Sequence, residues 1–222
     1  FVAVSAFIKA IRPDYVLHCA AISNTGTCER NPVLSEKVNV RGTINLAKAC
    51  RNAGSRMIFT SSDQIYNTSH SMEPNREGSE GKPGNVYGRD KKRAEEAMLT
   101  YLPDAVALRL TWMYDAPSRG RAAGQGLLQK LADALKERRE VEFPVHDYRG
   151  ITYVWEVVRH LEEAMGLPGG VYNFGSENRY NTFDTARLFL RELAGSDSAG
   201  ILKRNAERFA SCPRNLTMDT DK

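Results

Sequence analysis

Apolar residues recur at helical spacing from the first positions of the chain. Val4, Phe7, Ile8 and Ile11 share one face of a segment spanning 2–11, and Pro13 closes it. The period then changes. "YVLHCA" (15–20) is a short unbroken apolar run, the pattern of a strand covered on both faces. Beyond a polar loop, Pro32 suits the first turn of a long helix through "VLSEKVNVRGTINLAKACRNA", which Gly54 terminates. "RMIFTSS" (56–62) reads as a second buried strand. The stretch 67–85, rich in Ser, Asn, Glu, Gly and Pro, reads as a loop. Residues 86–101 predict the next helix and "AVALRLTWMY" (105–114) a third strand.

Helix, strand, helix, strand, helix, strand is the order of an α/β protein with a doubly wound parallel sheet. Such open sheets bind ligands beyond the carboxyl ends of their strands. Chemistry is therefore expected at "CAAIS" (19–23), "TSSDQ" (60–64) and "LTWMY" (110–114). Past residue 115 the elements shorten. A Gly/Ala/Arg-rich loop (116–126) precedes a helix on "LLQKLADALKERR", a short strand near 141–145 and a helix near 155–165. "GVYNFGS" (170–176) predicts another strand, and Asn181 or Thr182 caps a helix over 183–194. These pieces predict a small C-terminal α+β lobe that walls a cleft. The chain then divides into a nucleotide-binding domain, 1–115, and a mainly substrate-binding lobe, 116–222.

Composition narrows the partners. The 222 residues are 41% hydrophobic and 26% charged, and the net charge of +4 is spread without a block of like charges. That argues against a nucleic-acid arm or a membrane-surface helix. No apolar run reaches the roughly 18 residues of a membrane span. Cys19, Cys28, Cys50 and Cys212 form no C-x-x-C pair and have no histidine at zinc-ligand spacing, so no metal is expected. They read as reduced thiols of a cytoplasmic protein. The chain starts in the middle of an amphipathic segment and without Met, so its natural N-terminus is expected to lie upstream.

Within "NVYGRDKKRAEE" (85–96), Tyr87 and Lys91 stand four apart and share a helix face. An ammonium close to a phenol favours the phenolate, and a phenol tuned toward neutrality exchanges a proton with a carbonyl or alcohol oxygen. Alone the pair is weak, since chance supplies about 0.4 such matches in a chain of this composition. Ser62 adds weight. It ends a buried strand 25 residues before Tyr87, where its hydroxyl can orient a carbonyl beside the phenol.

Taken in order, "YVLHCAAISNTGTCERNPVLSEKVNVRGTINLAKAC", "MIFTSSDQIYN", "VYGRDKKRAEE" and "LRLTWMY" resemble successive blocks of the extended short-chain dehydrogenase/reductases. The likeness is greater to their dTDP-4-dehydrorhamnose reductase branch. "VHDYRGITYV", "GVYNFGSENRYNTFDTARLFLREL" and "PRNLTMDTDK" continue it to the end of the chain. The resemblance implies a Rossmann-like fold and a catalytic trio of Ser62, Tyr87 and Lys91. Tyr87 would donate the proton, Ser62 orient the carbonyl, and Lys91 hold the nicotinamide ribose and tune the phenol. Ala20, Ala21, Asn39, Ser61 and Thr111, with Tyr87 and Lys91, would surround NADP or NAD. Ser62, Trp112 and Arg149 would meet the sugar nucleotide. Trp112 and Tyr114 serve equally as core aromatics, and Arg149 equally as an exposed loop arginine.

The chain also departs from that pattern. The family opens with a strand and a Gly-rich turn that cradles a pyrophosphate on a helix N-terminus. The only Gly-x-Gly here, "GQG" (124–126), follows the third strand instead. By that comparison two or three strands, about 40–60 residues, are absent from the start. His18 replaces the family's Asn and reads as a satisfied structural histidine, while Asp90 replaces a small hydroxyl residue beside Lys91. The resemblance implies NADPH- or NADH-dependent reduction of a keto group on a nucleotide-activated deoxysugar, and it admits a homodimer. Two other readings stay open. One is a regulatory subunit like the β-subunit of methionine adenosyltransferase. The other is an epimerase or dehydratase, ranked lower because Gln64 follows Asp63 where dehydratases carry a second acid.

Overall fold

In a computed structural model of the chain, residues 2–69, 71–116, 126–195 and 200–222 are described. Most of the loop expected at 116–126, and most of "GQG", lie outside them. The principal sheet has four parallel strands: β1 (Tyr15–His18), β2 (Arg56–Ser62), β3 (Val106–Leu110) and β8 (Gly170–Phe174), in that spatial order. Ser62 lies opposite Leu110, and Leu110 opposite Phe174, so three carboxyl ends finish level. β8 thus joins this sheet from the C-terminal half of the chain.

Alternation along the strands explains the two layers. Met57, Phe59 and Ala107 face α4 (Gly42–Ala53) and α5 (Val86–Tyr101), meeting Ala47, Cys50, Ala94 and Met98. Ile58, Val106, Leu108 and Leu110 face the other way, toward Val157 of α7 (Val154–Arg159) and Ala164 of α8 (Leu161–Gly166). A separate core forms from Leu127, Leu131 and Ala134 of α6 (Leu127–Glu137), Val141 and Phe143 of β5 (Val141–Pro144), and Ala186 and Leu190 of α9 (Thr182–Ala194). Asn181 caps α9 by accepting the Asp184 amide at 2.8 Å.

α1 (Val2–Ile11) packs on α4 but leaves Phe7 and Ile11 61% and 56% exposed. Beside it β1 is an edge strand of the sheet, with Tyr15 and Leu17 also solvent-facing.

Several sequence-based expectations change. The polar loop after β1 contains a short helix, α2 (Thr25–Arg30). The long helix expected from Pro32 is α3 (Pro32–Ser35), a π-helical turn (Glu36–Arg41), then α4. The strand expected over 105–114 breaks at Thr111. Its second part, β4 (Trp112–Tyr114), pairs with β7 (Ile151–Tyr153) instead of the principal sheet. The Thr111 and Thr152 hydroxyls lie 2.5 Å apart there. Gly175 has φ 154°, and an added Cβ would stand 2.7 Å from both threonine side chains, so only glycine fits this crossing. The helix expected near 155–165 breaks at His160 into α7 and α8. Three short strands also lie where the sequence pattern is silent: β6 (Asp147–Arg149), β9 (Leu202–Asn205) and β10 (Arg214–Leu216). β6 pairs with β10, and β5 with β9.

Candidate functional site

The end of β2 turns directly into a 3-10 turn, Asp63–Tyr66, and Ser62 caps it by accepting the Gln64 amide at 3.2 Å. α5 is clamped onto this turn. Its N-cap, Asn85, accepts the Gly88 amide at 2.7 Å and donates to the Gln64 side-chain oxygen at 2.9 Å. A Cβ on Gly88 would lie 2.4 Å from the Gln64 carbonyl oxygen, so the helix approaches this closely only with glycine there. The clamp sets Tyr87 beside Ser62, whose hydroxyl acts to lower the phenol pKa. Tyr87 and Ser62 are both 8% exposed.

Lys91, one turn along, is buried. Its ammonium donates to the Thr60 carbonyl at 2.7 Å and lies 4.4 Å from the Phe59 ring and 5.8 Å from the Tyr87 ring. Ser62, Tyr87 and Lys91 therefore lie together near the end of β2. The expected lowering of the phenol is not found. Burial pushes the phenol up to about 12, and Lys91 is not among the groups that shift it. Burial also lowers Lys91, to about 8, against the opposing pull of Glu95. Desolvation is the largest effect at both groups.

Ala20 is exposed and Ala21 half-buried at the β1 end, where Ala21 packs on Cys28, Val86 and Tyr87. Asn39 lies inside the π-helical turn and braces this segment. It accepts the Ile22 amide at 2.8 Å and donates to the Ile22 carbonyl at 3.1 Å. π-Turns often mark functional positions, and here the turn holds an asparagine on the loop beside the site. Ser61 is buried, and its hydroxyl has no hydrogen-bond partner among the described residues. Thr111 is buried, follows the residue opposite Ser62, and sets its hydroxyl against that of Thr152.

His18 is structural. Thr43 spends its hydroxyl proton on the Asn39 carbonyl at 2.7 Å, so His18 Nε2 donates to Thr43 across 3.0 Å. The imidazole stacks on Phe59, and burial with the Lys91 charge lowers its pKa to about 4.

Arg149, at the end of β6, is no exposed loop arginine: its side chain is 13% exposed. Its guanidinium lies 5.0 Å over the Trp112 ring and 3.7 Å from Asp63 Oδ2. Asp63 Oδ1 accepts from Ser62 and Gln64, while Asp63 Oδ2 and Arg149 Nε have no hydrogen-bond partner among the described residues. Burial raises the Asp63 pKa, and Arg149 partly opposes it. Asp63 thus stands between the trio and Arg149. The sequence reading weighs it only as half of a dehydratase acid pair, although its place directly after Ser62 was the available signal. Among the described residues no group of three or more His, Cys, Asp or Glu side chains could hold a metal ion. No helix among them is long and apolar enough to cross a membrane.

Known proteins carry related chains. A dTDP-4-dehydrorhamnose reductase of Mycolicibacterium smegmatis is 29% identical over 88% of this chain and 58% of its own length. The methionine adenosyltransferase 2 subunit beta of Xenopus laevis is 32% identical over 83% of this chain and 56% of its own. The chain thus spans somewhat over half the length of these relatives. A crystal structure of dTDP-4-dehydrorhamnose reductase from Bacillus anthracis, in complex with NADP, superposes with a TM-score of 0.81. It is 20% identical and the match covers 93% of this chain and 71% of that one. It establishes the Rossmann-like α/β fold. The profile of the RmlD substrate binding domain matches residues 1–222, and the chain belongs to that family.

Proposed function

We propose that this chain binds NADPH or NADH beside the β1 and β2 ends and reduces the keto group of a nucleotide-activated deoxysugar. The observation that carries the reading is the burial of Tyr87 beside Ser62, backed by Lys91 one helical turn away. The residues at the β1 end fit a dinucleotide. Ala20 and Ala21 offer small side chains beside an ammonium that makes one hydrogen bond, to Thr60, of the three it can donate. Lys91, Ala20, Ala21, Ser61 and Thr111 would hold the nicotinamide half, with Asn39 bracing them through Ile22. When bound, the dinucleotide supplies a hydride to the carbonyl carbon.

The rest is the work of this chain's side chains. With a pKa near 12 the phenol is fully protonated at neutral pH, so it enters the reaction as an acid. Ser62, turning its proton from Asp63 Oδ1, donates to the carbonyl oxygen and fixes it by the phenol. Tyr87 delivers its proton to that oxygen as negative charge develops there. Trp112 and Arg149 line the substrate side. Asp63 Oδ2 and Arg149 Nε, an acceptor and a donor with no hydrogen-bond partner among the described residues, suit the hydroxyl groups of a sugar. Residues 1–115 would carry most of the dinucleotide site and 116–222 most of the sugar-nucleotide site, with residues 154–174 completing the principal sheet and its second layer.

Tyr87→Phe tests the assignment. With NADPH and a dTDP-4-keto-6-deoxysugar, kcat is expected to fall about 10²–10⁴-fold while the thermal midpoint and NADPH affinity stay near wild type. An undiminished rate sinks Tyr87 as the acid, and no turnover by the wild type sinks the reductase. The relative from Xenopus laevis favours a second reading, a binding subunit that acts through a partner enzyme. Co-purification with a methionine adenosyltransferase, without keto-sugar turnover, would decide for it.

A further inference from the structure

Asp90 stands beside Lys91 on α5 and is 3% exposed. Its Oδ2 accepts the Ser35 hydroxyl at 2.5 Å, a contact that spans 55 positions of sequence. Ser35 Oγ in turn accepts from Asn39 Nδ2 at 3.2 Å. Asn39 holds both the amide and the carbonyl of Ile22, and Cys28 Sγ donates to the same carbonyl at 3.2 Å. The path from Asp90 to Ile22 thus runs through two side chains, Ser35 and Asn39, which are 0% and 1% exposed.

Packing alone does not call for a carboxylate here. Its nearest cation, Arg93, is 4.0 Å away with a side chain 56% exposed, too loose to offset the desolvation of a buried carboxylate. Glu36 and Arg89 also act on Asp90 electrostatically. What the carboxylate does is accept from Ser35, which leaves Asn39 oriented with its oxygen on the Ile22 amide. The helix that carries Tyr87 and Lys91 is thereby wired to the segment that carries Ala20 and Ala21.

We propose that Asp90 is a positioning residue that fixes segment 19–23 in register with Tyr87 and Lys91, through Ser35 and Asn39. The ligand-binding side of this role rests on the dinucleotide reading above; the mechanical side does not. Without the acceptor, the Ser35 hydroxyl and Asn39 amide re-pair, Ile22 is released, and the β1 end moves relative to the Lys91 ammonium.

Amide hydrogen exchange and NADPH affinity on the full chain test this in Asp90→Ala, Asp90→Asn and Ser35→Ala. Asp90→Ala should speed Ile22 N–H exchange at least about tenfold more than that of the core amides Phe59 and Leu108. The KM for NADPH should rise about tenfold, as when other supporting partners are removed, with kcat falling less than twofold. Ser35→Ala should reproduce the loosening. Asp90→Asn keeps an oxygen acceptor and should restore both readouts, which a purely structural loss of stability would not predict. Ile22 exchange that is unchanged, or that rises only in step with Phe59 and Leu108, overturns the proposal. So does failure of Asp90→Asn to rescue, or a loosened Ile22 with NADPH affinity intact. If the wild type binds no NADPH, the dinucleotide reading fails and the exchange data alone decide the role of Asp90.

Discussion

Burial opposes charging at three groups around the ends of β1 and β2: it raises Tyr87 and lowers Lys91 and His18. For His18 the consequence for stability has a definite sign. Its folded pKa, about 4, lies below its ordinary 6.5, so between these values the unfolded chain binds a proton that the folded chain excludes. The stabilisation is complete above pH 6.5 and is lost as pH falls toward 4. The loss amounts to about 3 kcal/mol if the shift is fully expressed. Denaturant melts of wild type and His18→Asn over this range should show a steep acid slope that the variant loses; parallel slopes would rule the assignment out. Spacing made Tyr87, Lys91 and Ser62 legible in the sequence, because helix geometry turns i, i+4 into contact. Their protonation was not legible, because it depends on burial by residues distant in the chain, such as Phe59 and Cys28.

Among the elements, α5 and the turn after β2 work as one part. Gly88 lets the helix rest on the Gln64 carbonyl, and Asn85 ties its first turn down. Gly88→Ala should therefore cost about 1–3 kcal/mol by overpacking and weaken the Ser62–Tyr87 contact. Gly78→Ala, in open space, should be near neutral in the same thermal melts. Equal effects would show that the clamp does not constrain the helix. Periodicity revealed the long elements, α4, α5, α6 and α9, since each buries a continuous stripe. It missed β6 and β10, three residues each, because that pairing joins positions 67 apart and leaves no local pattern. The π-helical turn was equally invisible, since its apolar spacing differs too little from that of an α-helix.

In the whole molecule, polar side chains do the long-range tying. Arg109 on β3 pairs with Glu95 of α5 at 2.7 Å and donates to the Tyr66 hydroxyl at 2.5 Å. Tyr66 donates to Asn173 on β8, and Asn173 holds the carbonyls of Asn75 and Asp219. The loop 71–79 and residues 214–219 are thereby fastened to the sheet through Asn173, with Asn215 donating to the Ser71 and Glu73 carbonyls. In the sequence these residues read as loop and tail, because a polar residue buried by its partners looks like one facing water.

The outer edge of β1 remains. Peptide groups along an edge strand, next to the bare faces of Phe7, Ile11, Tyr15 and Leu17, form a template on which another strand can add. Handled by itself, this chain should therefore self-associate as its concentration rises. Leu17→Lys, a charge on that edge, should suppress the effect in light scattering without lowering the melting temperature. If scattering is unchanged, association starts elsewhere. The strand that presents Ala20 and Ala21 to the site would then limit how concentrated a sample can be studied, and an added β-strand there would stiffen the pocket from behind.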